Sequence, residues 1–364
     1  MGLQGDMVAF LLFLRRSACP ALAVFALAAS SGPAQAAHER PWLADTSPAE
    51  IAQTIPLPGK ADWHQALPLS DGSVILLRDP GDNDNTPLLA RLAPDTTEIT
   101  PLLPDWSDVT SGTRAGEGFA PTVLARDETG GVWLIDQGSK GLTPRLIRID
   151  PTTGKILAEQ VLPPESLTKT TRFTMFAIHG QMAYLADEGS ASLTMLDMAR
   201  HQATRFFAGY PTSRGHLPLT IDHHIVMGPD GHPVTRDMAY LALETNGKWL
   251  YELAPTGPIY RLSTDLLTDP SVTAAEQMEG VTQWRGTPTV SGMTLDDKAT
   301  LYLTDIENGR LLSFDTARLP HILLVSPRLV QAGIPGWVKT SAQNDTAGTI
   351  WVPAGHVLLR IVLH

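Results

Sequence analysis

Cysteine is almost missing from this sequence: Cys19 is the only one in 364 residues. A lone thiol rules out a disulfide framework and a thiolate zinc centre. Basic charge is scarce as well. With 27 Lys and Arg against 38 Asp and Glu, the formal net charge is −11, so the chain lacks the excess of basic residues that nucleic acid recognition needs. Charged residues make up only 18% of the chain, too few for a coiled coil, and helical periodicity is nearly absent beyond the first forty residues. There is no Gly-x-Ser-x-Gly elbow, no phosphate loop and no dinucleotide fingerprint. What the chain does have is 43% hydrophobic residues, 30 Gly and 29 Pro, a composition of many short elements joined by many turns.

The N-terminus is expected to be an export signal. Apolar runs at Met7–Leu14 and Ala21–Ala29 end in Ala34-Gln35-Ala36, a small-x-small pattern that predicts cleavage after Ala36. The second run falls short of the roughly 20 residues that span a bilayer. Residues 1–36 therefore read as a signal peptide, and 37–60 as an N-terminal extension that closes a ring. The main domain is expected over 61–364, secreted or periplasmic, without a stable membrane anchor once the signal is cut. Cys19 would leave with the signal, so the mature chain would hold no cysteine.

The remaining chain repeats itself. An apolar triplet followed by an acid recurs at Val132-Trp133-Leu134-Ile135-Asp136, Ala183-Tyr184-Leu185-Ala186-Asp187 and Leu301-Tyr302-Leu303-Thr304-Asp305, with weaker copies around Leu76, Leu250 and Trp351. Taking Leu76, Trp133, Tyr184, Leu250, Tyr302 and Trp351 as anchors, the intervals are 57, 51, 66, 52 and 49 residues. A period near 50 in aromatic and β-branched strands belongs to propellers. Around each anchor lie an upstream run, a turn such as Asp127-Glu128-Thr129-Gly130-Gly131, and a downstream run such as Leu146-Ile147-Arg148-Ile149. The prediction is an all-β, six-bladed β-propeller of four-stranded antiparallel blades.

At these repeats the sequence resembles the major royal jelly protein/Yellow family. The matching stretches are Asp127–Gly138, Pro144–Asp150, the Thr153-Gly154 turn, Leu162-Pro163, Ala183–Asp187, Met238–Leu243, Trp249-Leu250-Tyr251 and Ile259–Leu267. The resemblance runs from about Ala61 to the C-terminus and implies a six-bladed propeller and export. That family includes nutritive, pigmentation and small-molecule-binding members and has no common reaction, so no catalytic residue is assigned. The sequence is more distantly similar to the gluconolactonase/senescence-marker-protein propellers, which hold a divalent cation in the channel. Where that group would offer oxygen ligands, this sequence reads Thr235-Arg236-Asp237-Met238 and Val290-Ser291-Gly292. Glu117 and Asp237 are the remaining candidate ligands for a cation such as calcium.

Function is expected at the mouth of the channel, where inner strands and their connecting loops converge. The candidate ligand-binding residues are Phe119, Arg172, Phe173, Arg236, Asp237, Ser291 and Trp337. An Asp there would pair with a protonated amine, Arg236 would suit a carboxylate or sugar acid, and the aromatics would pack a ring. Equally, Arg236 and Asp237 would form a pair that merely joins adjacent blades. Asp136, Asp187 and Asp305 recur at equivalent places and read as turn caps. The Asp82-Asn83-Asp84-Asn85 run reads as a solvated hairpin loop, and His216, His223, His224 and His232 as loop histidines. The expected partner is a small molecule, with no nucleic acid, no resident cofactor and a monomeric chain. Metal-dependent lactone hydrolysis and a protein-interaction scaffold are the alternatives.

Overall fold

The computed structural model describes residues 43–44, 49–59, 62–78, 87–102, 119–138, 142–339 and 348–364. The signal segment, the Asp82–Asn85 run and Glu117 lie outside them.

Six four-stranded antiparallel blades form a propeller, and the two-residue strand Leu43–Ala44 adds in parallel to the outer edge of the fifth. Their innermost strands are Trp63–Pro68, Pro121–Arg126, Phe173–His179, Tyr240–Leu243, Val290–Leu295 and Gly336–Val338, in blades 1 to 6. All six sequence anchors, from Leu76 to Trp351, fall in the second strand of their blade. These second strands are buried on both faces, so they appear in the sequence as short continuous apolar runs rather than alternating ones.

Blade 2 shows why the repeat carries an acid and an aromatic. Asp127 directly follows the inner strand, and its Oδ1 accepts hydrogen bonds from the backbone N–H groups of Thr129 and Gly131, which closes the turn. Its Oδ2 accepts from Trp133 Nε1 at 2.9 Å, tying the next strand to that turn. Blade 5 repeats the device, with Asp296 capping Lys298 and Thr300 and accepting from the Tyr302 hydroxyl at 3.1 Å. Blade 4 uses Glu244 and the Tyr251 hydroxyl at 3.0 Å. On the third strand an arginine covers the aromatic. Arg148 lies over Trp133, Arg261 over Trp249 and Arg360 over Trp351.

The ring is closed by both ends of the propeller. Glu50–Pro56 pairs antiparallel with Val357–Val362 and becomes the outer strand of blade 6, whose three inner strands come from the C-terminus. Around the channel, side chains tie inner strands to their neighbours. Gln65 exchanges two hydrogen bonds with the Leu124 backbone, both at 2.7 Å, while Thr122 donates to the Phe173 carbonyl and Thr174 to that of Ala239. Between blades the core is apolar, with Phe173, Tyr184, Tyr251, Trp284 and Phe314 among its largest members.

Two features depart from the uniform repeat. Blade 4 carries two short helices, Asp265–Thr268 and Ala274–Gly280, between its third and fourth strands. The second opens with a capping box in which Thr273 and Glu276 satisfy each other's backbone N–H, a Thr-x-x-Glu signal present in the sequence. An excursion over residues 207–239 separates blades 3 and 4 and accounts for the 66-residue interval. It contains a small hairpin, Thr220–Ile221 with His224–Ile225.

Candidate functional site

The two legs of this excursion run together at the end of the channel where the inner strands begin. Gly215 is needed there, because a Cβ on it would lie 2.0 Å from the carbonyl oxygen of Arg236. The legs are held by Met238 N–H donating to Ser213 O and by Gly215 N–H donating to Asp237 Oδ1 at 3.0 Å. Opposite them is the turn after the second strand of blade 3. Gly189 lies so close to Thr170 that a Cβ would come within 1.7 Å of its carbonyl oxygen. This contact brings Glu188 beside Arg172.

Between these walls is an open pocket of about 500 Å³, lined by Arg172, Glu188, Arg214, Gly215, Val234, Thr235, Arg236 and Asp237. Glu188 is a buried part of its wall. Arg236 donates to it twice, Nε to Oε1 at 2.6 Å and Nη2 to Oε2 at 2.8 Å, and Arg172 approaches Oε2 at 2.9 Å. Burial is the largest single influence on Arg236 and works against its charge, but the interactions with Glu188 and Tyr240 together outweigh it and raise the guanidinium pKa. Tyr240, buried beneath, has its hydroxyl pKa raised by desolvation. Asp237 Oδ2 lies 3.8 Å from Arg214. Three guanidinium groups thus meet two carboxylates. The side chains of Arg172 and Arg214 remain 55% and 54% exposed, with donors to spare.

Of the residues singled out in the sequence, Arg172, Arg236 and Asp237 meet in this pocket. Arg236 takes its partner from blade 3, Glu188, rather than the adjacent Asp237. Phe173 is fully buried in the core, and Phe119 packs half-buried against the cluster between blades 1 and 2. Ser291 faces the Thr304 hydroxyl at 2.8 Å and the Gly333 carbonyl at 3.3 Å, which links blades 5 and 6. Trp337 lines the opposite end of the channel. Glu188 and Arg214 were not singled out. For Glu188 the available signal was an acid directly after a recurring Asp and before a Gly.

The recurring aspartates serve as turn caps. Asp136 accepts from Ala120 N–H, Gly138 N–H and Arg145 Nε, and Asp305 from Glu307 N–H, Asn308 and Arg310 Nε. Asp187 accepts from Arg172 N–H, Ser190 N–H and the Thr171 hydroxyl. His223, His224 and His232 are exposed, while His216 Nε2 is 2.9 Å from the Pro211 carbonyl. Among the described residues no three His, Cys, Asp or Glu side chains are grouped to hold a metal. Asp237 has its oxygens turned to Gly215 N–H and Arg214, and three guanidinium groups line the pocket. This cation-rich donor set does not fit a divalent ion.

A family model described as "Major royal jelly protein" matches residues 122–321, more than half of the chain. The chain belongs to the major royal jelly protein family. The match spans blades 2 to 5 with the excursion that builds the pocket. No curated protein matches the sequence. Among solved structures, a streptogramin B lyase superposes with a TM-score of 0.52 at 10% identity, covering 86% of this chain and 97% of the other. A gluconolactonase from Xanthomonas campestris gives 0.52 at 13% identity, covering 89% and 99%. A virginiamycin B lyase from Staphylococcus aureus gives 0.50 at 11%, covering 86% and 99%. At such identities these likenesses establish the propeller fold shared with this royal jelly family member.

Proposed function

We propose that this protein is an exported small-molecule binder whose ligand, a small polar anion of the sugar-acid type, sits on Arg172 and Arg214 at the polar end of the channel. One observation carries the reading: three arginines converge there on two carboxylates, and two of those arginines keep half of their side chains in solvent. A ligand carboxylate supplies the missing negative charge and accepts the paired donors of a guanidinium fork. Glu188 holds Arg236 and Arg172 in place, so the site is organised before the ligand arrives. Ligand hydroxyls would meet Asp237 and the backbone around Thr235.

A thermal-shift screen of the chain from residue 37 tests the reading, with gluconate, glucono-lactone, a primary amine and calcium as separate probes. Stabilisation by gluconate that Arg172→Ala and Arg214→Ala each abolish supports it. At 100 times the dissociation constant the gain is about 2.7 kcal/mol, enough to see. Stabilisation by calcium with turnover of the lactone would replace it with the hydrolase, and no shift with any small probe would favour a protein-interaction scaffold.

A further inference from the structure

The other end of the channel has the opposite chemistry. Where the inner strands run out, a cavity of about 450 Å³ takes its walls from all six blades. Leu67, Leu124, Met175, Leu241, Met293 and Trp337 are among its lining residues, and each is buried. This volume lies within the roughly 300–1,000 Å³ of ordinary small-molecule sites. Two thioether side chains in the wall let it adapt to irregular apolar shapes.

One guanidinium stands among the described lining residues, with Asp127, Glu128 and Glu244 at the rim of the apolar walls. Arg126 ends the inner strand of blade 2 and lines the cavity. Its Nη2 donates to the Trp337 carbonyl of blade 6 at 2.8 Å, and among the described residues no carboxylate pairs with it. Burial alone acts on its pKa, pushing it down, with no acid opposing. The carboxylates around the rim are engaged elsewhere. Asp127 caps its turn and Trp133, Glu128 accepts from Gly180 N–H, and Glu244 accepts from the Tyr251 hydroxyl. Arg126 is half-buried, and with one of its five donors on a carbonyl it keeps others open to the cavity for an anionic group.

We propose that this end of the channel is a second binding site that takes an amphipathic monocarboxylate, its apolar body against Leu67, Leu124, Met175, Leu241, Met293 and Trp337 and its carboxylate on Arg126. The site is separate from the polar pocket at the opposite end and shares no lining residue with it. An uncharged apolar ligand would leave Arg126 without a counter-ion. A polyhydroxylated acid would bury its hydroxyls against leucine and methionine, at the cost of their hydrogen bonds.

The test is calorimetric titration of the chain from residue 37 with sub-micellar decanoate, and with decan-1-ol as the uncharged match. Decanoate is expected to bind at one site per chain, at least tenfold more tightly than the alcohol. Arg126→Met should remove that preference while leaving alcohol binding in place. Met293→Trp, which fills the cavity, should weaken both. Should Arg126→Met fail to fold, Arg126→Lys keeps the charge and is expected to keep the preference. Equal binding of acid and alcohol, an unchanged preference in Arg126→Met, several weak decanoate sites per chain, or no binding would each overturn the proposal.

Discussion

Glu188 and Arg236 are joined by two parallel hydrogen bonds, at 2.6 and 2.8 Å, between the second-strand turn of blade 3 and the excursion that leads into blade 4. The same carboxylate also faces Arg172 at 2.9 Å. One buried acid therefore fixes two arginines that start from different parts of the chain. Without it, the two guanidinium groups would repel each other across the pocket.

Replacing Glu188 should therefore cost more than replacing either exposed arginine. Glu188→Ala leaves Arg236 largely covered and unpaired, a loss of about 2–4 kcal/mol after allowing for its partial exposure. Arg172→Ala removes a half-exposed partner and should cost about 1 kcal/mol or less. Guanidinium chloride unfolding of the two variants checks this ordering. Equal losses would show that Glu188 is not the organising group.

The turn-capping aspartates lead to a second expectation. Asp136 and Arg145 are both buried and meet at 2.9 Å, and Asp136 also caps two backbone N–H groups. Asp136→Ala should destabilise by about 2–3 kcal/mol, because it uncaps two backbone N–H groups and takes from the buried Arg145 one of its carboxylates, leaving Glu159 at 2.9 Å. Asp136 does not line the polar pocket, so gluconate affinity of the folded fraction should stay within about twofold of wild type. Unfolding curves and calorimetric titration separate the two effects. An affinity loss without a stability loss would make Asp136 a ligand contact instead.

A third expectation concerns pH. Glu252 lies fully buried in the second strand of blade 4, and among the described residues neither of its carboxylate oxygens meets a hydrogen-bond donor. Burial pushes its pKa up to about 8. Between the unfolded value near 4.5 and about 8, the folded protein keeps a proton that the unfolded chain has lost. Stability should therefore fall as pH rises through that window, by about 1.4 kcal/mol per unit at most. Glu252→Gln removes the titration, so the difference between the two proteins should grow from pH 5 to pH 8 and then level off. Urea midpoints measured across this range test it. A constant difference would mean that Glu252 does not change protonation on unfolding.

Much of the fold was legible in the sequence because the propeller repeats a local device. In blades 2, 4 and 5 an acid stands at the turn and an aromatic that donates to it follows six or seven residues later, as with Asp127 and Trp133, Asp296 and Tyr302, and Glu244 and Tyr251. Such patterns are written within one blade and survive as spacing. The pocket is different. Arg172 and Arg236 were visible as charged residues just before inner strands, but Glu188 sits 48 residues before Arg236 and Arg214 sits across the excursion. Nothing local to any of them encodes the meeting. Phe173 was misleading for a related reason. An aromatic at the start of an inner strand can turn either to the channel or to the next blade, and only the packing of blade 3 decides that it is core. Arg126 was hidden because its isolation is defined by carboxylates that turn elsewhere.

The most direct measurement is calorimetric titration of gluconate into the chain from residue 37 and into Arg214→Ala, each at two salt concentrations. The expected result is one site in the wild-type chain, an affinity that weakens as salt rises, and at least a tenfold loss in the variant. Binding that is indifferent to both salt and Arg214, or no binding at all, would contradict the assignment of the polar end of the channel as an anion site.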